Sequence, residues 1–284
     1  MAARECEGRV AFVTGASRGI GAAIAERLAG AGARVAAVAR SLDTAPEKAP
    51  GTLRETVARI ESRGGEAVAI AGDVTDAASL AAAVDRCREL LGPVDVLVNN
   101  AAQGPYRGFE KFSERDFRRT FDANVRAPLE LARLVVPEMR ARRRGWIVNI
   151  SSATAIRPHG PPFREFERTA GPHLYAASKA ALDRLTVGIA AELHGSGIAV
   201  NALAPVAAVI TQAVAAVGAD RFIEPEMIEP IEAMAEAALA LACCDPEKLT
   251  GRVTYSLRLL EELGREIRTL DGAQAFRPEL AERR

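Results

Sequence analysis

The sequence has no apolar run near the ~20 residues needed to cross a membrane, which excludes membrane-spanning classes. Its first residues, MAARECEGR, lack the apolar stretch of a signal peptide. Its few cysteines, Cys6, Cys87, Cys243 and Cys244, show no metal-ligand spacing, and we expect the adjacent pair to be buried thiols. These absences predict a cytoplasmic protein with no metal site and no membrane partner.

The sequence also lacks net charge, because 37 basic residues balance 37 acidic ones. A neutral surface exerts no long-range attraction on nucleic acid, so no nucleic-acid partner is expected. The basic run at 140–144 is expected to end a helix, where cations favour the dipole, rather than to bind phosphate. Aromatics are scarce, but Ala, Val, Leu and Ile abound, which is typical of helices packed closely on a sheet.

Short apolar segments alternate with helical patterns along the whole chain. Each segment is apolar on both faces, as in a parallel strand that helices cover on both sides. Repeated βα units predict an α/β fold with a single doubly wound sheet of about seven parallel strands and helices on both faces. The strands are predicted at 10–14, 34–39, 67–72, 94–99, 146–151, 198–203 and 252–256, and the helices at 19–30, 52–63, 77–91, 113–141, 175–195 and 230–243.

The first predicted strand runs through the turn TGASRGIG directly into a helix. Glycines allow a sharp turn and let a pyrophosphate approach the helix N-terminus, where free N–H groups and the dipole favour anions. A position between strand and helix makes this motif much more specific than a glycine-rich turn alone. We therefore predict a dinucleotide phosphate site at Gly15, Ser17, Arg18, Gly19, Ile20 and Gly21.

With NNAA at 99–102, Asn124, Ser152 and YAASK at 175–179, this turn resembles the short-chain dehydrogenase/reductase family. The motifs occur in the family's order and the resemblance covers roughly residues 8–256. It implies a Rossmann-type domain that binds NAD(H) or NADP(H) and transfers a hydride to or from a carbonyl carbon. We assign residues 1–256 to this dinucleotide-binding and catalytic domain and 257–284 to a C-terminal helix and tail. The helix is predicted at 257–270, and the tail either packs on a neighbouring subunit or frays.

The resemblance also implies the reacting group. Tyr175 and Lys179 are four residues apart in a helical pattern and so share a face. A nearby ammonium and an oxidised nicotinamide ring would lower the phenol pKa from its usual ~10. Tyr175 would then protonate the carbonyl oxygen, or accept the proton in reverse, while Lys179 also bonds the nicotinamide ribose.

Two further residues complete the implied set. Ser152 would donate a hydrogen bond to the reacting oxygen; Ser151 competes for this role, but neighbouring strand residues point to opposite sides and the family places the serine second. Asn124 matches the asparagine that kinks the family's fourth helix and holds a water leading to the lysine. Otherwise an asparagine inside a helix would simply face solvent.

The end of the second strand favours NADP(H), although NAD(H) is possible. Arg40 and Ser41, with Arg18 in the turn, suit a 2′-phosphate, and no carboxylate stands at the strand end. Asp43 is the nearby residue that would oppose this preference. The resemblance adds cofactor contacts at Asp73, Val74, Asn99, Asn100, Ala101, Ala102, Pro205 and Thr211. The sequence departs from the family's pattern after the sixth strand in two places: Val206 stands where the family usually has glycine, and the threonine, Thr211, falls one position later than the family's.

The segment 153–173 is longer than the usual connection between the family's serine and tyrosine. It must loop over the carboxyl edge of the sheet, where ligands bind, and so is expected to form part of the substrate rim. Shortening 156–172 should then change substrate preference without changing NADPH affinity. The candidate wall residues are Ile156, His159, Phe163 and Phe166, with Arg157 and Arg164 available to an anionic substrate.

The leading hypothesis is an enzyme that acts on an apolar carbonyl or alcohol substrate, as a homodimer or homotetramer paired through its fourth and fifth helices. The alternative is a non-catalytic NAD(P)-binding scaffold or redox sensor, favoured by Val206, the displaced threonine and the long C-terminal segment. Dehydration or epimerisation is disfavoured because the hydride-transfer set is intact. NADPH consumption with a panel of carbonyl compounds separates enzyme from scaffold.

Overall fold

Seven parallel strands form one sheet in the order β3-β2-β1-β4-β5-β6-β7. The computed structural model describes residues 4–45, 50–206, 208–211, 214–215, 218, 220–225 and 228–276. This sheet, with helices packed around it, confirms the predicted doubly wound, Rossmann-type α/β fold. The strands are β1 (Val10–Thr14), β2 (Arg34–Ala39), β3 (Glu66–Ala71), β4 (Val96–Asn99), β5 (Gly145–Ile150), β6 (Ile198–Ala204) and β7 (Val253–Tyr255).

The helices connect these strands and cover both faces of the sheet. Thr52 and Ser113 each begin a helix with a capping box, in which side chain and backbone exchange hydrogen bonds. The helices are α1 (Gly19–Gly30), α2 (Leu53–Ser62), α3 (Ala77–Leu91), α4 (Glu114–Phe121), α5 (Ala127–Arg142), α6 (Glu165–Thr169), α7 (His173–Leu193), α8 (Ile231–Ala242) and α9 (Ser256–Glu262). None of the helices in the described ranges is both long and apolar enough to span a membrane.

The core has two layers, one on each face of the sheet. In β1, Ala11 and Val13 belong to the cluster shared with α1, α8 and α9, whereas Val10 and Phe12 belong to the cluster shared with α3 and α5. Successive strand residues point to opposite faces, so burial on both sides requires the continuous apolar segments of the sequence.

The order of strands places the candidate site. β1 pairs with β2 on one side and with β4 on the other, so the direction of winding reverses between β1 and β4. Ligands bind at such a reversal, beyond the carboxyl ends of the strands. Thr14, Asn99 and Ile150 end β1, β4 and β5 at this edge.

Two predicted helices differ in the structure. The helix expected at 113–141 is interrupted by a π-helical turn, Asp122–Arg126, between α4 and α5. The helix expected at 257–270 ends at Glu262, because the chain turns through Gly264 at φ +59°, a conformation that favours glycine.

Residues 263–276 fold back onto the protein itself, with the backbone N–H of Phe276 donating to the carbonyl of Ile267 at 2.7 Å. The described part of the predicted tail, 271–276, therefore does not fray, and its packing on a neighbouring subunit stays a prediction. Ile267 and Leu270 pack against the core cluster of α1 and α8, and Arg265 pairs with Glu5 and Glu236. The remainder of the predicted tail, 277–284, lies outside the described residues, as do positions 46–49 of the Pro-rich loop.

Candidate active site

Ser152, Tyr175 and Lys179 lie together despite the long segment between the serine and the tyrosine. Ser152 follows β5, and the other two residues lie near the start of α7. The hydroxyl of Tyr175 shares a hydrogen bond with Ser152. Lys179 Nζ lies 5.7 Å from the centre of the Tyr175 ring and donates to the carbonyl of Ile150 at 2.6 Å. The group therefore contains a phenol, a hydroxyl and an amine within one small volume.

Burial dominates the acid–base properties of this group. It raises the pKa of Tyr175 above its usual value, together with Tyr106, while the hydrogen bond with Ser152 acts the other way. Burial likewise lowers the pKa of Lys179 to about 8, and Asp183 opposes that shift. The sequence predicts that Lys179 and an oxidised nicotinamide ring together lower the pKa of Tyr175. In the protein without cofactor that lowering is not found. The phenol is protonated at neutral pH and can donate its proton.

The two adjacent serines after β5 face different surroundings. Ser152 lies beside Tyr175, and its hydroxyl also pairs with Thr154 Oγ1 at 2.9 Å. Ser151 is buried near Asp183, whose pKa burial raises and Ser151 lowers. Ser152 therefore contacts Tyr175, whereas Ser151 lies beside Asp183; that Ser152 is the serine that binds substrate stays a prediction.

Asn124 is buried in the π-helical turn and does not face solvent. Its Oδ1 accepts from the backbone N–H of Gln103 at 2.9 Å, and its Nδ2 donates to the carbonyl of Gln103 at 2.8 Å and to Ser178 Oγ at 2.9 Å. Ser178 in turn donates to the carbonyl of Tyr175 at 2.7 Å. The turn thus links the segment after β4 to the first turn of α7, and sequence reasoning missed both Gln103 and Ser178.

Gly104 lies against Tyr175 and was also missed by sequence reasoning. A Cβ at this position would stand 2.9 Å from Tyr175 Cδ2 and 3.0 Å from Tyr175 Cβ. Such contacts are closer than side chains tolerate, so any larger residue must push the ring away.

We predict that Gly104→Ala displaces the Tyr175 ring and lowers the turnover number about tenfold to a hundredfold, because misplacement by a fraction of an ångström disrupts proton transfer. Gly108→Ala is the matched control, since a Cβ there meets no atom within 4 Å. Steady-state kinetics of both variants decide the point. Equal activity in the two variants would show that the close approach of Gly104 has no functional role.

Hydrogen bonds connect the glycine turn to the segment that follows β4. Thr14 Oγ1 accepts from the backbone N–H groups of Asn100 and Ala101, each at 3.0 Å. Asn100 Nδ2 donates to the carbonyl of Thr14 at 2.9 Å. A Cβ on Gly21 would stand only 2.3 Å from that nitrogen, so glycine is required there. Thr14 is a further residue that the sequence motif did not reveal.

Asn99 does not share this position with Asn100. It is buried, and its Nδ2 donates to Asn149 Oδ1 at 2.8 Å inside the sheet. Of the predicted contacts in this segment, the structure therefore brings Asn100 and Ala101 to the glycine turn and leaves Ala102 exposed beside them.

The start of α1 has the properties that a pyrophosphate requires. Arg18 precedes the helix with extended backbone, its own side chain does not cap the first turn, and no acidic residue lies in that turn. Thr211 also reaches this turn, since its Cγ2 is 3.6 Å from where a Cβ on Gly19 would stand. Within the same turn Ser17 is buried and Ile20 packs against the core. The residues present therefore fit a dinucleotide at this place.

The adenosine end contains the predicted basic residue. Arg40 is exposed directly after β2, and Asp43, the carboxylate that would oppose a phosphate, forms an ion pair with Arg54. Burial acts to raise the pKa of Asp73, but hydrogen bonds from Thr75 and the charge of Arg40 lower it overall.

The carboxylates after β3 have separate roles. Asp76 begins α3 by accepting from Ala78, as expected, which leaves Asp73 beside the half-buried Val74 at the site edge.

The segment after β6 is anchored by a buried carboxylate. Glu229 accepts hydrogen bonds from Ser256 Oγ at 2.7 and 2.8 Å and from the backbone N–H of Val206 at 3.4 Å. Burial raises its pKa to about 6, against the effect of these hydrogen bonds. Pro205 and Val206 are therefore held in place, although Val206 departs from the family's glycine.

Of the wall residues predicted in the long insertion, Phe166 reaches the candidate site. Phe166 of α6 packs edge-on against Tyr106, with ring centres 6.3 Å apart, and against Phe222 at 5.6 Å. Tyr106 in turn lies 5.8 Å from the ring of Tyr175. These side chains, Tyr106, Phe166 and Phe222, form an aromatic cluster beside the reacting phenol.

The other predicted wall residues do not line the site in this way. Ile156, His159 and Phe163 are exposed, and Phe163 folds back onto the backbone of Gly160. Arg164, which precedes α6, pairs with Glu167, and both Arg164 and Arg157 are exposed.

Comparison with known proteins agrees with this geometry. The short chain dehydrogenase family model matches residues 9–221. The chain is 40% identical over 200 residues to an uncharacterized oxidoreductase of Thermotoga maritima, covering 70% of this chain and 71% of that protein. It is 35% identical over 198 residues to the ketoacyl reductase HetN of Nostoc sp., covering 70% of this chain and 63% of the relative's length.

A solved structure is similar over most of both chains. The 3-oxoacyl (acyl-carrier-protein) reductase of Agrobacterium tumefaciens, determined with NADP bound, has a TM-score of 0.74 and 31% identity. The similarity covers 88% of this chain and 93% of that one.

Proposed function

Since this chain belongs to the short-chain dehydrogenase family, we propose that it is an NADP(H)-dependent oxidoreductase acting on a carbonyl or alcohol carbon. The observation that carries this proposal is the grouping of Ser152, Tyr175 and Lys179 at the carboxyl edge of the sheet. The glycine turn at the same edge has the properties that dinucleotide binding requires. When bound, the nicotinamide supplies or accepts the hydride. The residues of the chain bind, orient and move the proton.

In the direction of reduction, the protonated Tyr175 donates its proton to the carbonyl oxygen of the substrate. Ser152 donates a hydrogen bond to the same oxygen, and so stabilises the negative charge that develops there. Lys179 holds the ribose and adds positive charge near the phenol. Asn124 positions α7 through Ser178, and in the family manner holds a water that leads to the lysine.

The residues proposed to hold the cofactor extend along the edge from the glycine turn to the end of β2. The N-terminus of α1, whose first turn holds no acidic residue, receives the pyrophosphate, and Arg40, with Arg18 and Ser41, receives the 2′-phosphate. Asp73, Val74, Asn100 and Ala101 border the adenosine, while Pro205 and Thr211 border the nicotinamide side. The NADP bound in the similar Agrobacterium reductase supports this choice of cofactor.

Charge reversal at Arg40 tests the cofactor preference. Arg40→Asp removes the partner of a 2′-phosphate and adds repulsion, so kcat/KM with NADPH should fall about a hundredfold while that with NADH is kept or rises. Arg86→Asp, on an exposed ion pair of α3, controls for the change in net charge. If both cofactors are used equally before and after the change at Arg40, the NADP(H) preference is wrong.

The aromatic cluster supports an apolar substrate. Tyr106, Phe166 and Phe222 present rings beside Tyr175, and we expect Phe166→Ala to raise KM for apolar ketones about tenfold with NADPH affinity unchanged. Phe163→Ala, in the same insertion but half exposed, should leave both constants unchanged. Kinetics over a panel of aliphatic and aromatic ketones makes the measurement. A uniform effect of the two variants would place the substrate elsewhere.

Three helices of the chain are candidates for pairing between subunits. We propose a homodimer or homotetramer through α4, α5 and α7, and a cytoplasmic location. We also propose residues 1–256 as the catalytic domain. Phe117 and Phe121 stack at 4.6 Å on α4, where Phe117 is half exposed, and they offer one apolar contact for such an interface.

The decisive experiment for the activity is NADPH consumption with a broad panel of carbonyl compounds. Turnover with at least one compound supports the enzyme. NADPH binding without turnover across the panel would instead favour the alternative, a non-catalytic scaffold or redox sensor, which Val206 and the late Thr211 at the nicotinamide end support.

A further inference from the structure

Two cysteines far apart in sequence meet at the amino edge of the sheet, opposite the candidate active site. Cys6 precedes β1, Cys243 follows α8, and their sulfur atoms are 2.9 Å apart. Cys6 is fully buried, whereas Cys243 is partly exposed. A reagent in solution can therefore reach one sulfur of the pair directly and the other only through its partner.

The surroundings make the two sulfurs chemically different. The hydrogen bond from Cys6 lowers the pKa of Cys243, and the cations Arg9 and Arg265 act in the same direction, against burial and Glu5. The same hydrogen bond and its own burial raise the pKa of Cys6. Arg9 is fixed there, because its Nη1 donates to the carbonyl of Ala242 at 2.6 Å and its guanidinium lies 3.8 Å from the centre of the Trp146 ring.

We propose that Cys6 and Cys243 are a reversible oxidation site, which small disulfides such as glutathione disulfide convert into an intramolecular disulfide. The thiolate of Cys243 attacks one sulfur of glutathione disulfide and releases one glutathione. The Cys6 sulfur then attacks Cys243 Sγ, and the second glutathione leaves with the proton that Cys6 loses. Two protein thiols are oxidised, one glutathione disulfide is reduced, and two glutathione molecules leave.

The geometry needs little adjustment for this bond. The two sulfur atoms must approach by roughly 0.9 Å to reach disulfide length. The adjacent Cys244 is directed elsewhere, since its Sγ contacts the carbonyls of Leu241 at 3.2 Å and Leu249 at 3.3 Å. Burial raises the pKa of Cys244 to about 12, so it remains a thiol. The sequence alone predicted only that the adjacent Cys243 and Cys244 are buried thiols.

The bond would close a loop from residue 6 to residue 243 and tie the segment before β1 to the end of α8. Crosslinks across such long loops restrict the unfolded chain, and so stabilise the folded one. The site lies at the amino edge of the sheet, away from Tyr175, so oxidation should change stability and leave the reacting group unchanged.

The test uses the full-length reduced protein and Cys243→Ser, Cys244→Ser and Cys6→Ser variants, incubated with glutathione disulfide. Free thiols are counted, and linked peptides are mapped by mass spectrometry. We expect the unsubstituted protein and Cys244→Ser to lose two thiols and to yield a Cys6–Cys243 peptide. Cys243→Ser should react at least about tenfold more slowly at Cys6. Cys6→Ser should stop at a glutathione adduct on Cys243.

If Cys6→Ser does not fold, the unsubstituted and Cys244→Ser proteins still decide the matter. A linked peptide that contains Cys244 in place of Cys243 would overturn the proposal. So would a pair that stays reduced in excess glutathione disulfide while the guanidinium-unfolded chain oxidises. The melting temperature should rise on oxidation of both proteins and return with dithiothreitol; no rise would overturn the stabilising role. The assay needs no substrate, so its outcome is independent of the proposed activity.

Discussion

Tyr175→Phe is expected to reduce NADPH-dependent carbonyl reduction about a hundredfold to ten-thousandfold, the usual contribution of a general acid. The substitution removes the phenol proton and the hydrogen bond with Ser152, but it keeps the half-buried ring that packs against Gly104 and Tyr106. The fold and the cofactor turn should therefore be preserved. The measurement is the initial rate of NADPH consumption with the best substrate of the panel.

Two controls make this result specific. The dissociation constant of NADPH, measured by fluorescence, should change by less than about threefold, because the residues proposed to hold the phosphates and the adenosine do not include the phenol hydroxyl. Tyr255→Phe makes the same chemical change in β7 and should leave the rate unaltered. Should Tyr175→Phe keep the full rate, another group must donate the proton, and the assignment of Tyr175 would be wrong.

The features that could be predicted from the sequence are those that local pattern controls. The seven strands are apolar on both faces because the sheet is covered on both faces, so their positions were correct to within about two residues. Gly15, Gly19 and Gly21 mark a strand–turn–helix junction, and the spacing of Tyr175 and Lys179 sets them on one face of α7. Each of these predictions depends on residues that are neighbours in sequence.

The features that could not be predicted arise where distant segments meet. Gly104 and Tyr106 belong to a stretch without periodicity, and only the packing of that stretch on α7 brings them against Tyr175. The contact of Phe166 with Phe222 joins α6, which precedes α7, to a segment that follows β6. Sequence spacing contains no information on such contacts, although each contact contributes to the shape of the site.

Electrostatics in the site were also predicted incompletely. The sequence places an amine near the phenol, which alone would lower the pKa of Tyr175. In the structure burial instead raises the pKa of Tyr175, and the amine of Lys179 donates to the carbonyl of Ile150. The extent of burial depends on the whole fold, including Tyr106, so the direction of the net shift required the structure.

The largest expected effect on stability is at Glu236, a fully buried carboxylate of α8. It accepts from Arg27 Nε of α1 at 2.7 Å and from Arg265 Nε at 2.6 Å, and the side chains of Arg27 and Glu236 are 2% and 1% exposed. Glu236→Gln leaves Arg27 buried without its counter-charge. Loss of one partner from a buried ion pair costs about 3–5 kcal/mol of unfolding free energy.

At that cost, the melting temperature of Glu236→Gln should fall by about 10 °C. Glu262→Gln is the matched control, because its pair with Arg252 is about half exposed and screened by solvent, so its loss should barely change the stability. Thermal and urea unfolding of both variants measure the difference, and equal losses of stability would show that burial does not strengthen the Arg27–Glu236 pair.

Although α1 begins at the glycine turn, NADPH affinity should weaken in Glu236→Gln only at temperatures where the protein begins to unfold. A loss of affinity well below that range would mean that the ion pair also positions the phosphate-binding end of α1.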